Sequence, residues 1–139
     1  VRRRYATRET TVRLHQRGFR ERVIRAYREQ CALCRLRHQE LLDAAHIIPD
    51  ADDAGEPVVN NGISLCKIHH AAFDHGIIGI RPDYVVEVRV DVLHEIDGPM
   101  LKYGLQLMHN TRLIVPQNVL LRPDPEKLET RYSTFRERP

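Results

Sequence analysis

Two short pairs of cysteine and histidine residues constrain the fold of this chain more than any other feature. Two residues separate Cys31 from Cys34, and two separate Cys66 from His69. A gap of two residues lets a tight turn present both side chains to one metal ion, and thiolates with an imidazole are typical ligands of structural zinc. The spacing therefore predicts a structural Zn²⁺ held by these four residues. The alternative is three buried free cysteines beside a surface histidine.

The length and the cysteine usage bound the class of protein. At 139 residues the chain is long enough for one domain, which we expect over residues 15–139 after a basic arm or linker at residues 1–14. It has no run of about 18 apolar residues and no leader-like segment, so we expect no membrane partner. Cysteines that bind metal indicate a cytoplasmic protein. The chain opens on Val1 without a methionine, which is consistent with a fragment of a longer protein.

Positive charge is concentrated at the start of the chain. Residues 1–30 hold ten arginines and three acidic residues, a balance of +7, so the rest sums to −4 because the net charge is +3. Phe19, Val23 and Tyr27 recur every four positions and predict a helix over residues 15–30 with one face on the core. A basic helix suits a polyanion such as nucleic acid, although a solvated helix face gives the same pattern. The candidates for DNA-backbone contacts are Arg17, Arg20, Arg25 and Arg28.

The middle of the chain predicts two strands followed by a helix. Residues 41–48 are an apolar segment, an acidic loop follows, and residues 63–66 are a second short strand candidate. Residues 67–75 have a helical pattern that Gly76 terminates. Beyond it, the pattern predicts strands at 77–80, 84–90 and 111–115, and helices at 99–108 and 126–138.

A second polar set is interleaved with the predicted zinc ligands. It comprises His46 in the first strand, Asn61 in the following loop, and His70 with Asp74 on the helix. His70 and Asp74 are four residues apart and share a helix face. His69 and His70 point about 100° apart on a helix, so they can serve two different sites. Phosphodiester hydrolysis needs a base to activate water and a metal ion to take up charge, and this set meets both needs.

These segments resemble the HNH nucleases, the ββα-metal class. The family hallmark is a histidine on the first strand, an asparagine in the loop and a histidine on the helix, and the matching segments here are AAHIIP, NNGISLC and HHAAFDHG. Many bacterial HNH restriction endonucleases add cysteine pairs as a zinc support. The resemblance is strongest over residues 31–80. It implies an α+β fold in which a ββα-metal core carries a zinc knuckle, an N-terminal basic helix and a C-terminal extension of mixed strands and helices.

The resemblance assigns a role to each matching residue. His46 is expected to be the general base that deprotonates water, and Asn61 to orient it by a hydrogen bond, with Asn60 as the alternative. His70 is expected to bind a catalytic divalent metal ion, which would be Mg²⁺, Mn²⁺ or another transition metal. Asp74 is expected to be the second ligand of that ion.

One position departs from the family pattern. Many HNH enzymes place a metal ligand directly before the first-strand histidine, where this chain has Ala45. Asp74 is the expected replacement for that ligand, and water or Asp43 are the alternatives.

The function implied by the resemblance is that of a metal-dependent DNA endonuclease, the cleavage module of a restriction enzyme that in some relatives acts on modified DNA. Two alternatives stay open. One is a zinc-supported nucleic-acid-binding module with an inactive nuclease site, which Ala45 favours, and the other is a nuclease toxin domain. No base-reading element is evident, so we expect a separate recognition domain before Val1. Cutting both strands takes two active sites, which favours a homodimer.

Overall fold

The computed structural model describes residues 17–49 and 58–137. The predicted arm at residues 1–14 lies outside them, and so does the acidic loop over residues 50–57. Within the described ranges, no helix is both long enough and apolar enough to cross a membrane.

A two-stranded antiparallel ribbon lies at the centre of the fold. It pairs β1, Leu42–His46, with β2, Gly62–Cys66, so that Leu42 faces Cys66 at one end and His46 faces Gly62 at the other. Every residue of β2 is buried. A Cβ atom on Gly62 would lie only 2.6 Å from Val23 and 2.8 Å from Phe19, so only glycine fits against the helix that carries these two residues. The two predicted strands are confirmed.

The basic helix, α1, includes residues 17–26 of the described chain. Its predicted stripe is buried: Phe19 is 2% exposed, Val23 is 0% exposed, and Tyr27, just beyond the helix, is 1% exposed. The helix ends earlier than predicted. Arg28 has a φ of 59° and the next residue a φ of 57°, a left-handed conformation that an α-helix cannot contain. Arg28 therefore lies in a turn and not on the helix face.

Helix α2, Lys67–Asp74, follows β2 without a loop. The Sγ of Cys66 caps the helix by accepting a hydrogen bond from the backbone N–H of His69 at 3.5 Å. Gly76 has a φ of 71° and ends the helix, as its position in the sequence predicts. The β1–β2–α2 order is the predicted ββα unit, and its first and last elements both carry candidate site residues.

The C-terminal extension packs against this unit. Strands β3, Ile78–Ile80, and β4, Val86–Val88, form a second antiparallel pair, and a short helix α3, Val90–Leu93, follows. The last helix, α4, comprises Pro125–Glu137 and buries Leu128 completely. Its Phe135 ring occupies the space that a side chain on Gly79 would need, so α4 lies directly on β3. These strands and the last helix match the prediction.

Two predictions for the extension need correction in detail. The helix predicted over residues 99–108 is present, but it consists of a π-helix, Met100–Leu105, followed by a 3₁₀ turn, Gln106–Met108. The Gly104 carbonyl inside it accepts a hydrogen bond from outside the helix, at His69, which competes with regular helical bonding. The predicted strand at residues 111–115 contributes only an isolated bridge between Val85 and Arg112.

Candidate functional site

The four side chains of the two sequence pairs come together at one end of the ribbon. Their ligand atoms all lie within 4.8 Å of one another. The Nδ1 atom of His69 is 3.6 Å from the Sγ of Cys31 and 3.3 Å from that of Cys66. The Sγ atoms of Cys34 and Cys66 are 3.9 Å apart, and all three cysteines are free thiols. Tetrahedral ligands about 2.3 Å from a zinc ion are about 3.8 Å from one another, so these residues fit such an ion.

A backbone carbonyl fixes the orientation of the His69 ring. The Nε2 atom of His69 lies 2.6 Å from the carbonyl oxygen of Gly104. A carbonyl can only accept a hydrogen bond, so Nε2 carries the proton and Nδ1 faces the sulfur atoms. Histidine ligands of metal ions are commonly oriented by such a bond on the opposite nitrogen. The π-helix that contains Gly104 thus supports the cysteine cluster.

Shared protons dominate the electrostatics of the cluster. Hydrogen bonds with Cys34 and Cys66 lower the pKa of Cys31 far below its ordinary value, and the contact with Cys31 raises the pKa of Cys34. Burial alone would lower the pKa of His69, but hydrogen bonds with Cys31 and Cys66 raise it to about 10. Thiolates and an imidazole that share protons in this way can exchange them for a metal ion.

The second polar set centres on His70, whose two ring nitrogens face different carboxylates. Nδ1 lies 2.9 Å from Oδ2 of Asp43, and Nε2 lies 3.1 Å from Oδ2 of Asp74. The other oxygen of Asp43 accepts a hydrogen bond from Nζ of Lys67 at 2.7 Å. Partial burial opposes the shift, but the bonds from His70 and Lys67 lower the pKa of Asp43 below its ordinary value. Asp43 is therefore held as a carboxylate.

Asp43 and Asp74, the two acidic candidates for metal binding, lie on opposite sides of the His70 ring. Asp74 and Nε2 of His70 can reach one ion together, whereas Asp43 lies on the opposite nitrogen. An imidazole and a carboxylate suit a divalent cation that completes its coordination with water or phosphate oxygens. The residues present fit such an ion, with Asp43 as the group that orients His70.

His46 lies at the last position of β1. Its ring stacks on Phe19 of α1, with centroids 4.3 Å apart and planes inclined by 17°. Phe19 is almost fully buried, so this contact gives the imidazole a rigid support. The sequence predicted Phe19 only as a core residue, because stacking between a helix and a distant strand has no local signal.

Asn61 is fully buried and is bonded to the chain just beyond His46. Its Oδ1 accepts a hydrogen bond from the Ile48 N–H at 2.9 Å, and its Nδ2 donates to the Ile48 carbonyl at 3.1 Å. These bonds fix the backbone two residues after His46. The direct bond from Asn61 to His46 stays a prediction. Asn60, the alternative, accepts a hydrogen bond from Lys127 of α4 at 3.1 Å.

Arg131 of α4 lines the site, although nothing in the sequence singled it out. This guanidinium donates to the carbonyls of Ile47 at 3.0 Å and Phe73 at 3.2 Å, and to Oδ1 of Asp74 at 3.1 Å. It also lies 3.4 Å from the carbonyl of His46 and 4.2 Å above the Phe73 ring. The side chain is only 19% exposed. One residue thus joins the strand of His46 to the helix of Asp74, although its only sequence signal is an arginine beside the apolar face of a helix.

A groove brings these residues to one surface. It has a volume of about 540 Å³ and its walls include His46, His70, Asp74 and Arg131. The base candidate and the metal-ligand candidates therefore open into the same space, between β1, α2 and α4.

The four arginines predicted to contact DNA differ in their surroundings. Arg20 donates to the carbonyls of Gln39 at 3.0 Å and Leu42 at 2.9 Å, so it ties α1 to the start of β1. Arg17 and Arg25 are exposed on α1, and Arg28 is exposed in the turn after it.

Comparison with known proteins agrees with this geometry. Residues 31–81 match the family model described as HNH endonuclease. No curated protein matches the chain by sequence. Among solved structures, the chain is similar to a "Modification dependent TagI restriction endonuclease", with a TM-score of 0.57 and 19% identity over 84% of this chain and 37% of that one. That likeness shows a shared fold, and this chain spans just over a third of the other.

The match and the fold together define the class of protein. Residues 31–81 form an HNH-family endonuclease module, and the chain around them shares its fold with part of a restriction endonuclease. The Cys31, Cys34, Cys66 and His69 group can bind a metal ion beside that module's candidate catalytic groove.

Proposed function

We propose that this chain is a metal-dependent DNA endonuclease and the cleavage module of a restriction enzyme. The observation that carries the proposal is the single groove onto which His46, His70 and Asp74 open. His46 and His70 occupy the positions of the strand histidine and the helix histidine in the HNH pattern, and Asp74 adds a carboxylate one helical turn after His70. The similar structure is titled a modification-dependent restriction endonuclease, which supports DNA, and modified DNA in particular, as the substrate.

His46 acts as the general base. A neutral imidazole accepts the proton of a water molecule as that water attacks the phosphorus atom, and a positioned base of this kind contributes about 10²- to 10⁴-fold to the rate. Phe19 supports one face of the ring, and Arg131 holds the backbone carbonyl of His46. Asn61 steadies the next residues of the chain through Ile48. The base is thus held by groups from three other parts of the fold.

His70 and Asp74 hold the divalent ion. The carboxylate of Asp43 keeps the ring proton of His70 on Nδ1, which leaves the Nε2 lone pair on the side of Asp74. Arg131 binds the other oxygen of Asp74 and limits its rotation. When bound, the ion would supply positive charge that stabilises the phosphate as negative charge develops on it.

The Cys31, Cys34, Cys66 and His69 group holds a structural zinc ion in this proposal. The four ligands leave no open coordination position, as in structural zinc sites. We expect Cys66→Ser to reduce zinc content, measured by atomic emission, and to lower the melting temperature together. A Cys66→Ser protein that lacks zinc but melts like the wild type would contradict the structural role.

The nuclease proposal is tested by nicking of supercoiled plasmid in Mg²⁺ or Mn²⁺ against a chelator. Wild-type protein should nick only with metal, and His46→Ala should lose nicking at unchanged zinc content and melting temperature. His38→Ala is the matched control, because His38 is a surface histidine whose side chain is 70% exposed. A His46→Ala protein that cuts like the wild type would show that the mechanism is wrong.

The second candidate function is a DNA-binding module without cleavage. The observation that favours it is Ala45, which is completely buried and offers no ligand next to His46. The same assay separates the two functions, since a binding module would shift DNA in a gel but would not nick it with any divalent metal.

A homodimer and a separate recognition domain are further parts of the restriction-enzyme proposal, and sedimentation of the chain with DNA tests the first of them.

A further inference from the structure

Three arginines line a shallow cleft beside the cysteine cluster. The cleft has a volume of about 430 Å³, and its lining consists of Arg28, Gln30, Arg35, Arg37 and Ile114. None of these residues is acidic. Within residues 17–49 and 58–137, no carboxylate forms an ion pair with any of the three guanidinium groups. Arg35 and Arg37 were not among the DNA-contact candidates of the sequence, because they lie after the basic helix.

The surrounding chain holds these arginines in place. The Gln30 carbonyl accepts a hydrogen bond from the Ser64 hydroxyl at 2.8 Å, and the Arg35 N–H donates to the Cys31 carbonyl at 3.0 Å. The Arg37 side chain reaches the Arg28 carbonyl at 3.5 Å. The turns that carry the cations are thus anchored to β2 and to the cysteine pair, and not to a free loop.

Two arginines of the C-terminal extension are neutralised by neighbouring carboxylates, in contrast to the three arginines of the cleft. Arg81 pairs with Asp83 at 2.7 Å and Arg89 pairs with Asp91 at 2.6 Å. Three guanidinium groups that no carboxylate of the described residues neutralises repel each other around one cleft, and an anion between them would relieve that repulsion. Guanidinium groups bind phosphate oxygens through paired hydrogen bonds, so phosphate is the ligand that this lining suits best.

We infer that this cleft binds a phosphate of the DNA backbone outside the cleavage groove. The inference rests on the proposed function, since it names a second contact for the same substrate. Ser64, which anchors the cleft, is two residues from Gly62, the ribbon partner of His46, and two residues of strand span about 7 Å. The backbone beneath the cleft is therefore continuous with the strand that pairs with His46.

The test is the salt dependence of binding to a short duplex, measured by fluorescence anisotropy without added divalent metal. The triple variant R28Q/R35Q/R37Q is compared with R81Q/R89Q/R112Q, which removes the same formal charge from arginines outside the cleft. Each lost phosphate contact lowers the slope of log affinity against log salt by about 0.9. We expect the cleft variant to lose about 1 to 3 in slope and at least about tenfold in affinity at low salt, and the control to lose much less.

The outcomes separate this inference from the proposed function. A cleft variant with the slope and affinity of the control would overturn the phosphate site, whereas metal-dependent nicking by the wild type would still stand. A wild-type chain that neither binds nor nicks DNA would overturn both. If the triple variant melts early, R35Q/R37Q repeats the measurement at two exposed side chains. At saturating DNA, nicking by the cleft variant should stay within about twofold of wild type, because the groove is untouched.

Discussion

His69 and His70 are neighbours in the chain but lie in opposite kinds of surroundings. His69 is 3% exposed and faces three sulfur atoms, whereas the side chain of His70 is 27% exposed and faces two carboxylates. A closed site with sulfur ligands suits a structural ion, and an open site with oxygen ligands leaves room for substrate. One turn of α2 serves both because successive residues of a helix point about 100° apart.

The two histidines are also oriented through opposite nitrogens. The Gly104 carbonyl accepts from Nε2 of His69, and the Asp43 carboxylate binds Nδ1 of His70. In each ring, the nitrogen that makes this contact points away from the remaining candidate ligands, and the other nitrogen faces them. In the proposed function, the group behind each ring would decide which nitrogen faces a metal ion, and thus how the two adjacent histidines divide between two sites.

The largest expected effects come from replacing the two histidines one at a time. His69→Ala should lose zinc, because the closed site loses a ligand. Without a chelator, its melting temperature should therefore lie well below that of the wild type. His70→Ala should retain zinc and melting temperature but lose nicking by about 10²- to 10⁴-fold. Zinc content, melting temperature and nicking rate are measured for both. If His69→Ala keeps zinc and loses only nicking, or if His70→Ala loses zinc and melts early, the assignment of the two histidines to two different sites is wrong.

Replacing Arg131 should have the next largest effect. Arg131→Gln loses the bonds that join His46, Phe73 and Asp74, and we expect about a 10- to 100-fold loss of nicking with weaker Mn²⁺ binding by calorimetry. Arg131→Lys should not restore the activity, because an ammonium group cannot span these acceptors. Arg136→Gln, in the same helix, is the control. Equal activity of the two glutamine variants would refute the positioning role.

Asp43 tests which nitrogen of His70 is used. Asp43→Ala should weaken Mn²⁺ binding by about 10- to 100-fold, measured by calorimetry, because the His70 ring loses its orienting partner. Asp43→Asn keeps an oxygen that accepts from Nδ1 and should lose less than about tenfold. Asp83→Asn, in a surface pair with Arg81, is the control. If Asn were as damaging as Ala, Asp43 would be a direct ligand.

The smallest expected effect concerns Tyr27, which contacts Gly62, the ribbon partner of His46. Its hydroxyl donates to the Gly62 carbonyl at 3.3 Å, and burial, with a smaller contribution from Tyr84, raises the pKa of Tyr27 well above its ordinary value. The folded protein therefore holds the Tyr27 proton more tightly than the unfolded chain does. This difference adds to the free energy of unfolding below about pH 10 and is lost as the pH rises further. Between pH 9 and 11, wild type should therefore lose more unfolding free energy than Tyr27→Phe in urea titrations. Parallel losses would contradict this.

Local patterns predicted the parts of the site that lie close together in sequence. The gap of two residues brought Cys31 near Cys34 and Cys66 near His69, and the i, i+4 spacing brought Asp74 to His70. These relations follow from turns and helices alone, and the resemblance to the HNH family supplied the roles. Strands β1 to β4, α2 and α4 followed from apolar periodicity in the same way.

Relations across the fold were not predictable from the sequence. Arg131 is 57 residues from Asp74 along the chain, and only the packing of α4 brings the two together. Asp43 was considered as a metal ligand, but the strand register and α2 place its carboxylate on the far nitrogen of His70. The end of α1 was missed because Arg28 adopts a left-handed conformation for which an arginine carries no signal.

Arg131 also decides how much of the chain must stay together if the groove is transferred to another protein. The family match ends at residue 81, but one wall of the groove comes from α4, which begins at Pro125. An engineer who transplanted only the matched segment into another scaffold would leave behind the guanidinium that joins its two halves. The unit suited to fusion with a new targeting domain therefore includes the chain through Glu137.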